Sequence, residues 1–283
     1  MLFAIISMLA FGTNGGVVKK LVKDLGPLKY GFYRNLGLTV VLLIILVLNL
    51  NTINLNWLYI LLAVLLSVVI YIGFYITNIA IKKGRLGIVL PITSSRIIIT
   101  TLLAGIVLKE NLDISQYLLI FVIIVGIITL SVNFKELKSF SLNGKGIKEA
   151  GMSAIIFGVV MTFYGLIGKE IGANLLGFIV EVVILIGSAI HLVATKESIL
   201  LTEAERKTYG KTIILMTLLA VVGVYFSNIA YVIGSVSIVT AISAASPIVT
   251  TLYDRFVHKE IMNIQENLGM MVVIGGIIAL SII

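Results

Sequence analysis

Apolar runs of about 20 residues recur along the whole chain, parted by short polar or charged breaks. The runs do not alternate apolar with polar positions, so they predict membrane helices and not barrel strands. Ten helices are predicted, near residues 2–19, 27–48, 57–80, 86–108, 114–133, 147–169, 173–195, 211–233, 236–256 and 264–283. The expected fold is all-α integral membrane, since only helices or closed barrels satisfy their backbone in lipid.

The second half of this pattern repeats the first at an offset of 150 residues. Gly73-Phe74-Tyr75-Ile76-Thr77-Asn78-Ile79-Ala80 aligns with Gly223-Val224-Tyr225-Phe226-Ser227-Asn228-Ile229-Ala230. Thr100-Thr101-Leu102, Val107 and Lys109-Glu110 align with Thr250-Thr251-Leu252, Val257 and Lys259-Glu260. The match closes on Gly126-Ile127-Ile128 against Gly276-Ile277-Ile278. Each unit holds five spans, and five is odd, so the units are expected to insert with opposite topology. The expected division is 1–134 and 135–283, two inverted five-helix repeats joined by a linker around Lys135–Lys148. Thr202-Glu203-Ala204-Glu205 reads as a capping box on a short surface helix ahead of the eighth span.

Composition agrees with a membrane protein, at 59% hydrophobic and 12% charged residues with mean hydropathy +1.16. The formal charge of +8 would suggest nucleic acid in a soluble protein. Here the cations sit in short loops with no basic, aromatic-studded face, so no nucleic-acid partner is expected. They favour the odd-numbered loops, as Lys82, Lys83 and Arg85 do, while the even-numbered loops carry only Lys109 and Lys169. The positive-inside rule then makes the odd loops cytoplasmic and puts both termini outside, in a multi-pass protein of the cell membrane. The first run lacks a basic n-region and reads as a span, not a cleaved leader. With no cysteine, disulfides and thiolate metal sites are excluded.

Ten spans, a five-helix duplication and a Lys-Glu pair closing the fourth and ninth spans resemble the drug/metabolite transporter superfamily, in its EamA-like branch. Ser246-Pro247-Ile248 through Glu260, and Thr100-Thr101-Leu102 through Glu110, are similar to the family's pattern of a small-residue helix ending in an acid. The first unit departs from it, with Ile97 at the equivalent of Pro247 and Pro91 one and a half turns earlier. The resemblance implies a small-molecule transporter, and it implies cytoplasmic termini, opposite to the charge reading.

Charge inside a span costs about 2.5–3.5 kcal/mol at the bilayer centre on insertion scales, so such residues are informative. Arg96 is nearly central in the fourth span and Glu181 lies in the seventh; Arg34 and Asp254 lie nearer span ends. Arg96 would bind a substrate carboxylate or phosphate across a water-filled cavity, or else serve as a structural ion pair or carbonyl cap. Glu181 would couple a proton, or else pair with Arg34 from the equivalent helix of the other unit. His191, near a span end, reads as interfacial.

Tyr75 with Asn78 and Tyr225 with Asn228 share helix faces at three-residue spacing, as walls of a central site or as interhelical hydrogen bonds. Pro91 and Pro247 should free backbone near Thr93, Ser94, Ser95 and Ser243; the glycines beside Asn14 and Tyr164 would do so in the first and sixth spans, but read better as helix-packing surface. Small residues such as Ala150, Ala154 and Gly158 read as helix-packing surface. The substrate-binding set is therefore Asn14, Tyr75, Asn78, Ser95, Arg96, Tyr164, Glu181, Tyr225, Asn228 and Ser243.

The expected function is a secondary transporter or facilitator of small organic metabolites, an exporter of amino acids or related solutes, working by alternating access. Its partners are that solute, membrane lipid, and a proton or counter-solute. No cofactor is expected: there is no P-loop, two histidines without cysteine make no metal cluster, and no catalytic triad shows in the spacing. The rival readings are a lipid or lipid-linked sugar flippase, an integral-membrane lipid enzyme, and a non-transporting scaffold.

Overall fold

A computed structural model describes residues 1–84, 86–131, 145–257 and 263–283. The fold is all-helical. The first half holds α1 (Leu2–Leu25), α2 (Pro27–Leu48), α3 (Trp57–Lys83), α4 (Leu86–Ser94), α5 (Arg96–Val107) and α6 (Ile114–Ser131). The second holds α7 (Ile147–Ile171), α8 (Ala173–Ala194), α9 (Glu203–Ile233), α10 (Val236–Ala244), α11 (Ser246–Val257) and α12 (Ile264–Ile282). Among the described residues, 8 helical stretches are long and apolar enough to cross a membrane, and Leu2–Val18 and Ile114–Leu130 form shorter apolar helices. Large apolar side chains such as Val47, Leu61, Leu65 and Leu218 stay exposed, as a lipid-facing surface requires. Most of the expected linker, and the Lys259-Glu260 pair, lie outside the described residues, as does the Asp254 side chain.

Three expectations are corrected. The fourth and ninth spans are each two helices, broken at Ser95 and Ala245, one repeat apart. Pro247 lies two residues past its break, where its missing N–H leaves the Ser243 carbonyl without the usual partner. Pro91 instead lies inside α4, so it deprives a carbonyl upstream of Thr93–Ser95. At Ser95 the hydroxyls take over: Thr93 donates to the Leu90 carbonyl at 2.8 Å and Ser95 to that of Ile92 at 2.6 Å.

The Thr202–Glu205 capping box forms, but on α9 itself. Glu205 N donates to Thr202 Oγ1 at 3.2 Å, and Thr202 N donates to Glu205 Oε2 at 2.8 Å. The polar residues before 211 continue the eighth span because a satisfied N-terminus lets the helix start outside the apolar run.

The offset is also not uniform. Pro27–Leu48 and Ala173–Ala194 stand 146 residues apart, whereas α4, α5 and α6 start 150 residues before α10, α11 and α12. Helix α9 has 31 residues and α3 has 27, so one extra turn absorbs the difference. With both offsets, hydrogen bonds between the halves recur in pairs. Thr100 Oγ1 donates to the Gly158 carbonyl at 3.0 Å, and Thr250 Oγ1 to that of Gly12 at 2.8 Å. Ser7 reaches the Gly223 carbonyl at 2.9 Å, while Ser153 meets Thr77, which itself donates to the Gly73 carbonyl at 2.8 Å. Ser94 Oγ donates to the carbonyl of Ala244, its own equivalent, at 3.1 Å.

Candidate functional site

The breaks at Ser95 and Ala245 bring backbone and hydroxyl groups of both halves to the centre of the bundle. Arg96 opens α5 at this point. It is half-buried and keeps part of its surface accessible. Its Nε has no hydrogen-bond partner, and it makes no ion pair among the described residues. It interacts electrostatically with the buried phenol of Tyr231 on α9.

The second half supplies the surrounding polar wall. Tyr164 of α7 donates to Asn228 Oδ1 of α9 at 2.6 Å, and its ring meets that of Tyr231 edge-on at 5.8 Å. Tyr231 and Thr240 hydroxyls share a 3.1 Å hydrogen bond. Ser243 Oγ lies beside the Tyr231 phenol. Gly177 leaves the room Asn228 needs: a Cβ there would fall 1.9 Å from Asn228 Nδ2. Arg96 of the first half thus meets Tyr231 of the second, which itself joins Tyr164 and Thr240.

Glu181 sits next to this wall, within electrostatic reach of Tyr164, but is engaged elsewhere. Its Oε2 accepts from Arg34 Nη1 at 3.5 Å, and both side chains are buried. Arg34 also donates to Asn35 Oδ1 at 2.7 Å and lies 5.0 Å over the Phe74 ring. At the 146-residue offset Asn35 is the equivalent of Glu181, so the guanidinium bridges two equivalent positions.

The other expected site residues are dispersed. Asn14 and Asn78 are buried with Oδ1 and Nδ2 unbonded. Tyr75 packs at 4.7 Å on His191, whose Nδ1 shares a 2.8 Å hydrogen bond with Tyr71. Tyr225 packs edge-on against Phe226 at 5.3 Å, beside the cluster of Leu38, Leu42 and Val224. Ser95 spends its hydroxyl on the break.

Two residues of consequence escaped the sequence reading. Tyr231 follows Asn228 by three residues on the same helix face, and that spacing was visible. Glu110 was read only as a family signature. It reaches across to the N-terminus of α10 and accepts from Val236 N at 2.6 Å, Ser237 N at 3.2 Å, Ser235 Oγ at 2.9 Å and Ser237 Oγ at 2.8 Å. A carboxylate there satisfies orphan amides and meets the positive end of the helix dipole. The acid at the end of the fourth span therefore fastens the start of the ninth.

Comparison with known proteins agrees with this architecture. The model of the EamA-like transporter family matches residues 1–132 and again 145–282. An uncharacterized protein of Methanocaldococcus jannaschii is 33% identical over 119 residues, which are 42% of this chain and 87% of that protein. A protein of known crystal structure superposes on 99% of this chain and 96% of its own, with a TM-score of 0.75 at 13% identity, a likeness of fold alone. A family match that runs through both halves makes this multi-pass membrane chain a member of the EamA-like transporter family, of the drug/metabolite transporter type.

Proposed function

We propose that the chain is a secondary transporter or facilitator that exports amino acids or related carboxylate metabolites by alternating access. The observation that carries this reading is Arg96, a central cation with accessible surface, no counter-ion among the described residues and an unbonded Nε. Among the described residues no acid pairs with it, and the hydroxyl of Tyr231 is nearby, which suits an anionic or zwitterionic solute with one carboxylate for Arg96. In this reading the cluster of Tyr164, Asn228, Tyr231 and Ser243 holds the rest of the solute between the halves.

The units 1–134 and 135–283 are inverted five-helix repeats, ten spans in all, with the lysine-rich end cytoplasmic in the cell membrane. The paired hydrogen bonds between halves support the repeat, as does a relative matched over most of its length by under half of this chain. Rocking would bend the chain at Ser95 and Ala245, where α4 gives way to α5 and α10 to α11. Glu110 would fasten one end of the path while the other is open.

The test is uptake and counterflow in proteoliposomes with labelled amino acids and nucleosides, with and without a pH gradient, for wild type and Arg96→Ala. Saturable movement of a zwitterion or anion that Arg96→Ala abolishes supports the reading. A pH-gradient dependence would mean that Glu181 leaves Arg34 to carry a proton; its absence would favour a counter-solute. Movement unchanged by Arg96→Ala would sink the assignment of the site.

A further inference from the structure

A second feature lies at the lysine-rich end, away from the central cluster. A cavity of about 1520 Å³ opens among the ends of α2, α3 and α7, with Ile92 of α4 inside and Glu197 at its rim. Its polar end carries Lys82, Lys83, Lys145 and Lys148 against Glu149 and Glu197, an excess of positive charge. Lys83 is engaged, at 2.6 Å from Glu149, whereas Lys82, Lys145 and Lys148 make no ion pair among the described residues. Beneath the lysines the wall turns apolar, with Ile79, Met152 and Ile155. Lys82 to Tyr75 on α3, and Lys148 to Ile155 on α7, each span seven residues, about 10 Å along a helix.

Met152 and Ile155 are 44% and 58% exposed, so the cavity opens sideways at membrane depth as well as at the end. An apolar slot of that kind is not left to water, and its volume exceeds the roughly 300–1,000 Å³ of ordinary small-molecule pockets. From charge, shape and position together we infer that it is a binding site for an anionic phospholipid. The phosphate sits among Lys82, Lys145 and Lys148, and the first part of an acyl chain lies along Met152 and Ile155 towards Tyr75. Basic pockets between helix ends hold lipid headgroups on the same physical grounds. Neither Arg96 nor any residue of the central polar wall lines the cavity, so the lipid is held here and not passed on. The repeat does not produce the site, because the equivalents of Lys82 and Lys83 are Val232 and Ile233. It also does not depend on what the central site transports.

Gly151 provides a clean test, since it lines the cavity and a Cβ there would meet nothing within 4 Å. Purified protein is titrated with phosphatidylglycerol, with phosphatidylcholine as the neutral comparison, and bound lipid is counted by native mass spectrometry. Glycerol 3-phosphate serves as a soluble competitor. Wild type should retain phosphatidylglycerol over phosphatidylcholine. Gly151→Leu, which plugs the slot, and the double variant Lys82→Gln/Lys148→Gln, which touches no core residue, should each weaken retention at least tenfold. Glycerol 3-phosphate should not displace the lipid. Equal binding of both lipids, or unchanged retention in the two variants, would overturn the inference. Displacement by glycerol 3-phosphate would overturn it in favour of a soluble phosphate compound.

Discussion

Arg34 and Arg96 both lie within spans and are treated in opposite ways. Arg34 has a carboxylate at 3.5 Å, an amide oxygen at 2.7 Å and an aromatic face at 5.0 Å. Among the described residues Arg96 has none of these, and its Nε is unbonded. Insertion alone cannot favour either charge, as each costs about 2.5–3.5 kcal/mol at the bilayer centre. In the first case the protein supplies the compensation itself. In the second no such partner is present among the described residues. Under the proposed function, the partners of an intramembrane charge, more than its depth, separate a structural ion from one kept free for a ligand.

The sharpest way to break this contrast is to strip each arginine of its charge and read stability and transport separately. Arg34→Met leaves Glu181 as a lone buried carboxylate and should cost about 3–5 kcal/mol of stability. The double variant Arg34→Met/Glu181→Leu should recover most of that loss, because no charge is left unpaired. Thermal unfolding in detergent decides it: a double variant no more stable than the single would mean that the pair does not hold the helices. Arg96→Met should behave in the reverse manner. Its melting temperature should hold or rise while counterflow falls at least tenfold, the loss of one charge-assisted contact of about 1.5–3 kcal/mol.

Glu110 extends the comparison to an anion whose two oxygens together accept four hydrogen bonds. Glu110→Ala should cost about 2 kcal/mol, as a lost cap with a favourable dipole interaction does. Glu110→Gln keeps one acceptor oxygen and should cost less. Hydrogen exchange at Val236 and Ser237 is the direct readout. Protection unchanged in Glu110→Ala would show that α10 is held by packing alone.

Much of this division was legible in the sequence, and the gaps have physical causes. The spans, the duplication and the place of Arg96 within the fourth span follow from hydropathy and from identities such as those around Lys109-Glu110. The choice between two roles for Glu181 was not legible, since it depends on a rotamer of Arg34 on another helix. The 146-residue offset was present in Phe11-Gly12 against Phe157-Gly158 and Gly31-Phe32 against Gly177-Phe178. It was hidden by the longer match at 150, because a single inserted turn inside α9 shifts the register without breaking the apolar run. Tyr75 and Tyr225 looked like Asn78 and Asn228 in sequence. Yet three residues along a helix also shift a side chain by about 60° around its axis, enough to send the tyrosines towards other neighbours.

The asparagines give the smallest and most controlled version of the contrast, because they occupy equivalent positions. Asn228 accepts from Tyr164 at 2.6 Å, while Asn78 is just as buried with its Nδ2 unbonded. Replacing Asn228 by Leu strands the Tyr164 hydroxyl and should cost about 1–3 kcal/mol, the penalty for an unsatisfied buried group. Asn78→Leu removes a group that is already unsatisfied, so it should be neutral or slightly stabilising. The pair Tyr164→Phe/Asn228→Leu should then recover part of the first loss, since neither polar partner remains. Measured as melting temperatures, these variants test the rule where no net charge is involved. Equal costs at Asn78 and Asn228 would mean that Asn78 finds its partner in cavity water, and that the first half contributes to the polar wall as the second does.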